Sequence, residues 1–189
     1  MRKFKISVLL KLGFYCLFLS IGLEMQARKF VHPGILHTTK SIERMRAQIA
    51  DKEYPAYGSF ELLKSHHCSQ ADYQPFGPFE IISRDGEFRH TKSKMEQDFS
   101  AVYQNALMWV LTGEKTHAEK SLELLLGYAG TLKRIPETND APLLVGLEGL
   151  KIIYATEILR HTYKKMTVVQ FNEISRMIRE VFLPVMENF

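Results

Sequence analysis

The chain has 189 residues, enough for a domain with a real core, and its composition is ordinary for a globular protein. Its formal charge of +4 is concentrated at the start. Setting aside Met1 to Ala27, with four basic residues and one acid, leaves 21 basic and 20 acidic residues of the original 25 and 21. That balance gives no electrostatic case for nucleic acid, and it does not oppose an acidic polysaccharide, which reads local charge.

Met1 to Ala27 has the pattern of a secretory signal. Arg2, Lys3 and Lys5 form the basic start, and Leu12 to Leu23 is an apolar run too short to span a bilayer comfortably, which takes ~20 residues. Ala27 is a suitable cleavage residue. Residues 28–189 are then expected in the periplasm or outside the cell, with no stable membrane insertion after cleavage; an uncleaved anchor is the alternative. Cys16 leaves with the signal, so Cys68 remains as a single thiol with no internal disulfide.

In Phe30-Val-His-Pro-Gly-Ile-Leu-His-Thr38, Pro33-Gly34 marks a turn. Thr38, Thr39 and Ser41 offer N-caps to a helix from about Ile42, which Tyr54-Pro55 interrupts. His66-His67-Cys68 is expected to be a surface turn without a metal, because no fourth ligand stands near it. Ala71 to Arg89 is a long irregular stretch with Tyr73, Phe76 and Phe79. It is expected to line a cleft, with a packed connector as the alternative.

Ser93 to Leu132 holds the strongest pattern, two helices joined at Thr112-Gly113. Phe99, Val102, Tyr103, Ala106, Leu107 and Val110 share one face of the first helix, and Ala118, Leu122, Leu125, Leu126, Ala129 and Leu132 one face of the second. Ser93 to Glu96 and Thr116 to Glu119 have the spacing of capping boxes. Beside the first apolar face runs a neutral polar stripe of Gln97, Ala101, Gln104, Asn105 and Met108, with Trp109 near it. Such a stripe suits the inner wall of a helical barrel, or a partly exposed helix with few charges.

Asp140 is placed as an N-cap with Pro142 in the first turn of the next helix. Leu143, Leu147, Leu150, Tyr154 and Ile158 are expected on its buried face, and Gly146 and Gly149 on a face that lets a neighbour approach. The last helix opens with the capping box Thr167 to Gln170, and Pro184 should kink or end it. No strand-period segment of any length follows the signal, so the chain is expected to be all-α, built from antiparallel helix hairpins.

Several stretches together resemble the alginate-lyase superfamily of polysaccharide lyases. They are Phe30 to Thr38, Gln97-Asp98 with Tyr103-Gln-Asn-Ala-Leu-Met-Trp109, Leu111-Thr-Gly-Glu114 with His117-Ala118, and Asn139-Asp140 leading through Leu143 to Glu157-Ile-Leu-Arg160. The resemblance implies an (α/α) toroid, incomplete in this chain, and β-elimination on a uronic-acid polymer such as alginate or glucuronan. In that reaction a base removes the C5 proton, neutralising groups hold the carboxylate, and the leaving oxygen takes a proton. No metal or other cofactor is expected for it. The superfamily's catalytic Asn, His, Arg and Tyr lie in the second half of longer chains, so they are expected beyond Phe189, and neither Tyr103 nor His90 is assigned that role. Gln97, Gln104, Asn105, Trp109, Asn139 and Asp140 are the expected sugar contacts, and an anionic polysaccharide is the expected partner. Two other functions compete. A hydrolase on an α/α barrel would need paired carboxylates; Asp98, Asp140 and Glu157 are the available acids, and none forms a pair in the sequence. A non-catalytic sugar-binding or scaffold protein needs none.

Overall fold

The structure is a computed structural model, and it describes residues 30–187. The expected signal segment, with Cys16, lies outside the described residues. The chain divides into two units, Met1–Phe30 and Val31–Phe189, and the second carries the fold. It is all-α: no strand forms among the described residues, and the sheet-like element is a single bridge between Ile81 and Arg134. None of the described helices is long and apolar enough to cross a membrane.

Helix α1 (Thr39–Ala50) starts at the Thr38 side chain, which accepts from the Ser41 N–H, and α2 (Ala56–Ser65) follows Tyr54-Pro55. The central pair is α3 (Lys92–Thr112) and α4 (Lys115–Thr131). Gly113 closes α3 in the left-handed region, φ 79°, where a side chain would be strained. Phe99, Val102, Ala106 and Val110 of α3 meet Ala118, Leu122, Leu125 and Ala129 of α4 in the core, as their spacing requires.

Two expected capping boxes do not form. Ser93 lies inside α3, because a 3₁₀ turn (Gly86–Thr91) leads straight into the helix and takes up its first backbone donors. Glu96 instead pairs with Arg84 at 2.5 Å. Helix α4 begins a residue before Thr116, and Glu119 reaches Lys165 and Tyr163. The third box forms as expected, with Thr167 and Gln170 bonding reciprocally at the start of α7 (Val168–Met177).

The next helical run corrects the expected leucine face. Helix α5 (Ala141–Leu144) passes through a π turn (Val145–Gly149) into α6 (Leu150–Thr162). The wider turn changes the register, so Leu144, Val145, Ile152, Ala155 and Leu159 point inward. Leu143, Leu147 and Leu150 are left 42–50% exposed, although Ile158 is buried as expected. Gly149 fixes this orientation: a Cβ there would stand 3.1 Å from Phe182. Gly146 has nothing within 4 Å, so it serves no close approach. A second π turn (Ile178–Phe182) precedes α8 (Leu183–Glu187) and accommodates Pro184, so the proline does not end the helix.

The irregular stretch from Ala71 to Arg89 is fastened to α3 by Asp98, which has no exposed surface. Its carboxylate accepts from Tyr73 Oη (2.8 Å), Phe76 N (2.9 Å), Gly77 N (2.8 Å) and Tyr128 Oη (2.7 Å). The stretch is therefore fastened to the core at Tyr73 to Gly77, as the packed-connector alternative requires.

Candidate functional site

The residues best suited to chemistry gather where the segment before α1 crosses α3 and α6. His32 and His37 come from that segment, Tyr103 from α3, and Tyr154, Glu157 and His161 from α6. The last three share a face of α6 by their i, i+3 and i, i+7 spacing. Pro33 and Gly34 are buried against the helices, which fixes the path of the segment between its two histidines.

Glu157 is the anchor. Its Oε1 accepts from the Gly34 N–H at 2.9 Å and lies 2.7 Å from His32 Nδ1, while Oε2 is 3.4 Å from His161 Nε2. The two imidazoles stack at 4.0 Å with 11° between their planes. Burial works against the charge on Glu157. The hydrogen bonds from His32 and Gly34 and the charge of His161 outweigh it and hold the carboxyl below its ordinary range. Burial holds His161 below the usual imidazole value, opposed by Glu157 and aided by His32 and Arg160.

His37 Nε2 lies 2.6 Å from Tyr103 Oη, both half-buried, and the Tyr103 ring is 5.9 Å from that of Tyr154. Burial lowers the His37 pKa, which favours the neutral, basic imidazole at neutral pH. Burial, then the neighbouring Tyr154, pushes the Tyr103 phenol up to about 12, so Tyr103 keeps its proton there. A neutral imidazole against a protonated phenol is a base beside an acid, with the contact already made.

The expected sugar contacts fall in separate places. Asn105 is fully buried: its amide donates to the carbonyls of Cys68 and Ala101, and its oxygen meets His117 Nδ1 at 2.8 Å. It pins the His67–Ser69 turn to the helix pair and is closed to a ligand, which corrects its assignment. Gln97 is half-buried between the Ser93 carbonyl and His67. Gln104 is half-buried with its Oε1 unpartnered. Trp109 donates to Thr162 Oγ1 at 2.9 Å and packs edge-on against Tyr163. It lines a small cavity of about 240 Å³ with Pro33 and Arg46.

Asn139 lines a larger groove of about 720 Å³ together with Arg134, Thr138, Glu180 and Val185. Asp140 stands at the start of α5, but its side chain makes no cap hydrogen bond. The α3 stripe does not line this groove. Of the acids considered for a hydrolase, Asp98 is sealed by its four donors and Glu157 is engaged with two histidines. The sequence reading passed over His32, His37 and His161. The usable signal was the i, i+4 spacing of Glu157 and His161, and its third partner lies 125 residues away.

No protein-family model, curated protein or solved structure matches this chain.

Proposed function

We propose that this chain contributes a wall of the cleft of a uronate-polysaccharide lyase of the alginate-lyase type, on part of an (α/α) toroid. The observation that carries the reading is convergence. Three of the four stretches on which the resemblance rests are far apart in sequence, yet they meet through His32–Glu157, His37–Tyr103 and Tyr103–Tyr154. Packing alone asks for apolar contact at such a crossing. Here it holds a base, an acid and a carboxylate anchor that are only partly buried.

β-Elimination needs a group to take the C5 proton and a group to protonate the leaving oxygen. Against the expectation that the base and acid lie beyond Phe189, those roles fall here to neutral His37 and protonated Tyr103, which need no change of state before the reaction. Further donors to neutralise the uronate carboxylate are required. The groove with Arg134 and Asn139 offers a cation and an amide for an acidic sugar chain elsewhere on the surface.

The test uses protein produced from the native gene, incubated separately with alginate and with polyglucuronate. Unsaturated uronate ends, read by ultraviolet absorbance, are the expected product. Saturated reducing ends alone would replace the lyase with a hydrolase, and polymer binding without either product would leave a binding protein.

A further inference from the structure

We propose that His32, Glu157 and His161 form a binding site for a divalent transition-metal ion such as Zn²⁺. One ligand atom from each lies within 4.8 Å of the other two. This inference is independent of the lyase reading, which needs no metal.

The donor set fits, and its ligand atoms lie close together. Two imidazole nitrogens and a carboxylate suit Zn²⁺, Co²⁺, Ni²⁺ or Fe²⁺, and three protein ligands leave positions open for water or a further ligand. Glu157 and His161 are four residues apart on α6, which is the spacing by which a helix offers two ligands to one ion. The third ligand comes from a different segment, and that segment is held: Pro33 and Gly34, which follow His32, are buried.

The carboxylate is also oriented from outside the triad. The Gly34 N–H donates to Glu157 Oε1 at 2.9 Å, the kind of supporting bond that steadies a ligating oxygen. Each imidazole lies near one oxygen of the same carboxylate, and binding requires the two rings to turn out of their stack so that both in-plane lone pairs face one ion. Both histidines are exposed, so an ion has a path from solvent.

A second cluster, His66, His67 and Cys68, has similar ligand spacing and serves as a built-in comparison. Its groups are spent on the local turn. His66 Nδ1 accepts from the Cys68 N–H at 3.2 Å, and the buried Cys68 Sγ sits 3.2 Å from His67 Nε2. All three residues come from one short segment, and burial raises the Cys68 pKa, so the thiolate a metal needs is disfavoured.

The experiment is a titration of the untagged protein with Co²⁺, followed by visible absorption, then displacement by Zn²⁺. The expected result is a single saturable site with ligand-field bands. Binding should weaken ~100-fold or more in Glu157→Gln and in His161→Ala, and stay unchanged in the His66→Ala/His67→Ala double variant. Histidine proton spectra of the wild type locate the site without any variant, so a variant that fails to fold costs nothing. Paramagnetic broadening should fall first on His32 and His161. No saturable binding by the wild type, or broadening confined to His66 and His67, would overturn the proposal.

Discussion

Two polar clusters hold irregular segments against α3 and its neighbours, and they do so in opposite ways. At Asp98, four donors converge on a carboxylate with no exposed surface, and every oxygen contact is made within the protein. At Glu157, the contacts are made largely by histidines at the surface. The first arrangement leaves nothing over for a ligand. The second leaves ligand atoms and protons within reach of solvent. Completeness of hydrogen bonding, more than the presence of charged residues, separates the scaffold from the site in this molecule.

The comparison predicts where stability resides. Asp98→Ala should be the most damaging change, because it strands two buried tyrosine hydroxyls and two backbone N–H groups. An overall loss of about 3–5 kcal/mol is expected in urea unfolding. Gly77→Ala attacks the same cluster from the other side. The new Cβ would stand 2.5 Å from Tyr128 Oη, forcing that hydroxyl off Asp98, for a loss of about 1–3 kcal/mol.

Glu157→Gln should behave differently. The ion pairs it removes are partly exposed, so the stability change should stay within about 1 kcal/mol. Limited proteolysis should nevertheless show faster cutting between His32 and His37, since the anchor of that segment is weakened. A loss of stability as large as that of Asp98→Ala would erase the distinction between the two clusters.

The smallest effect is the pH dependence. Burial lowers the folded-state pKa of His37, His117 and His161 below 6.5. The unfolded chain therefore takes up protons first as the pH falls. Stability should be complete above 6.5 and decline as the pH drops from there through the folded values. Glu157 has the same sign at lower pH: its contribution is present above 4.5 and is lost as the pH falls through its lowered folded value. His117→Gln should flatten the first decline, measured as the urea midpoint across that range.

Much of the fold was legible in the sequence because the α3–α4 pair obeys helical spacing and is closed by Gly113. The leucine face of α5 and α6 was not, because a π turn shifts the register and no residue spacing announces it. The two failed capping boxes share another cause: each motif had the right letters, but neighbouring backbone had already set the helix start. The candidate site was harder still. Glu157 and His161 are visible as a helical pair, but nothing in the spacing joins them to His32 or joins His37 to Tyr103. Asn105 misled for the reverse reason. An amide beside an apolar face can look inward to the core as easily as outward to a sugar, and here the carbonyls of Cys68 and Ala101 claim it.

The most direct measurement is the initial rate of unsaturated uronate formation by the wild type and by Tyr103→Phe, both shown to be folded by equal circular dichroism. If the convergence at His37 and Tyr103 is a proton-handling site, the variant should lose about 100-fold or more in rate. Equal rates in the two proteins would contradict it.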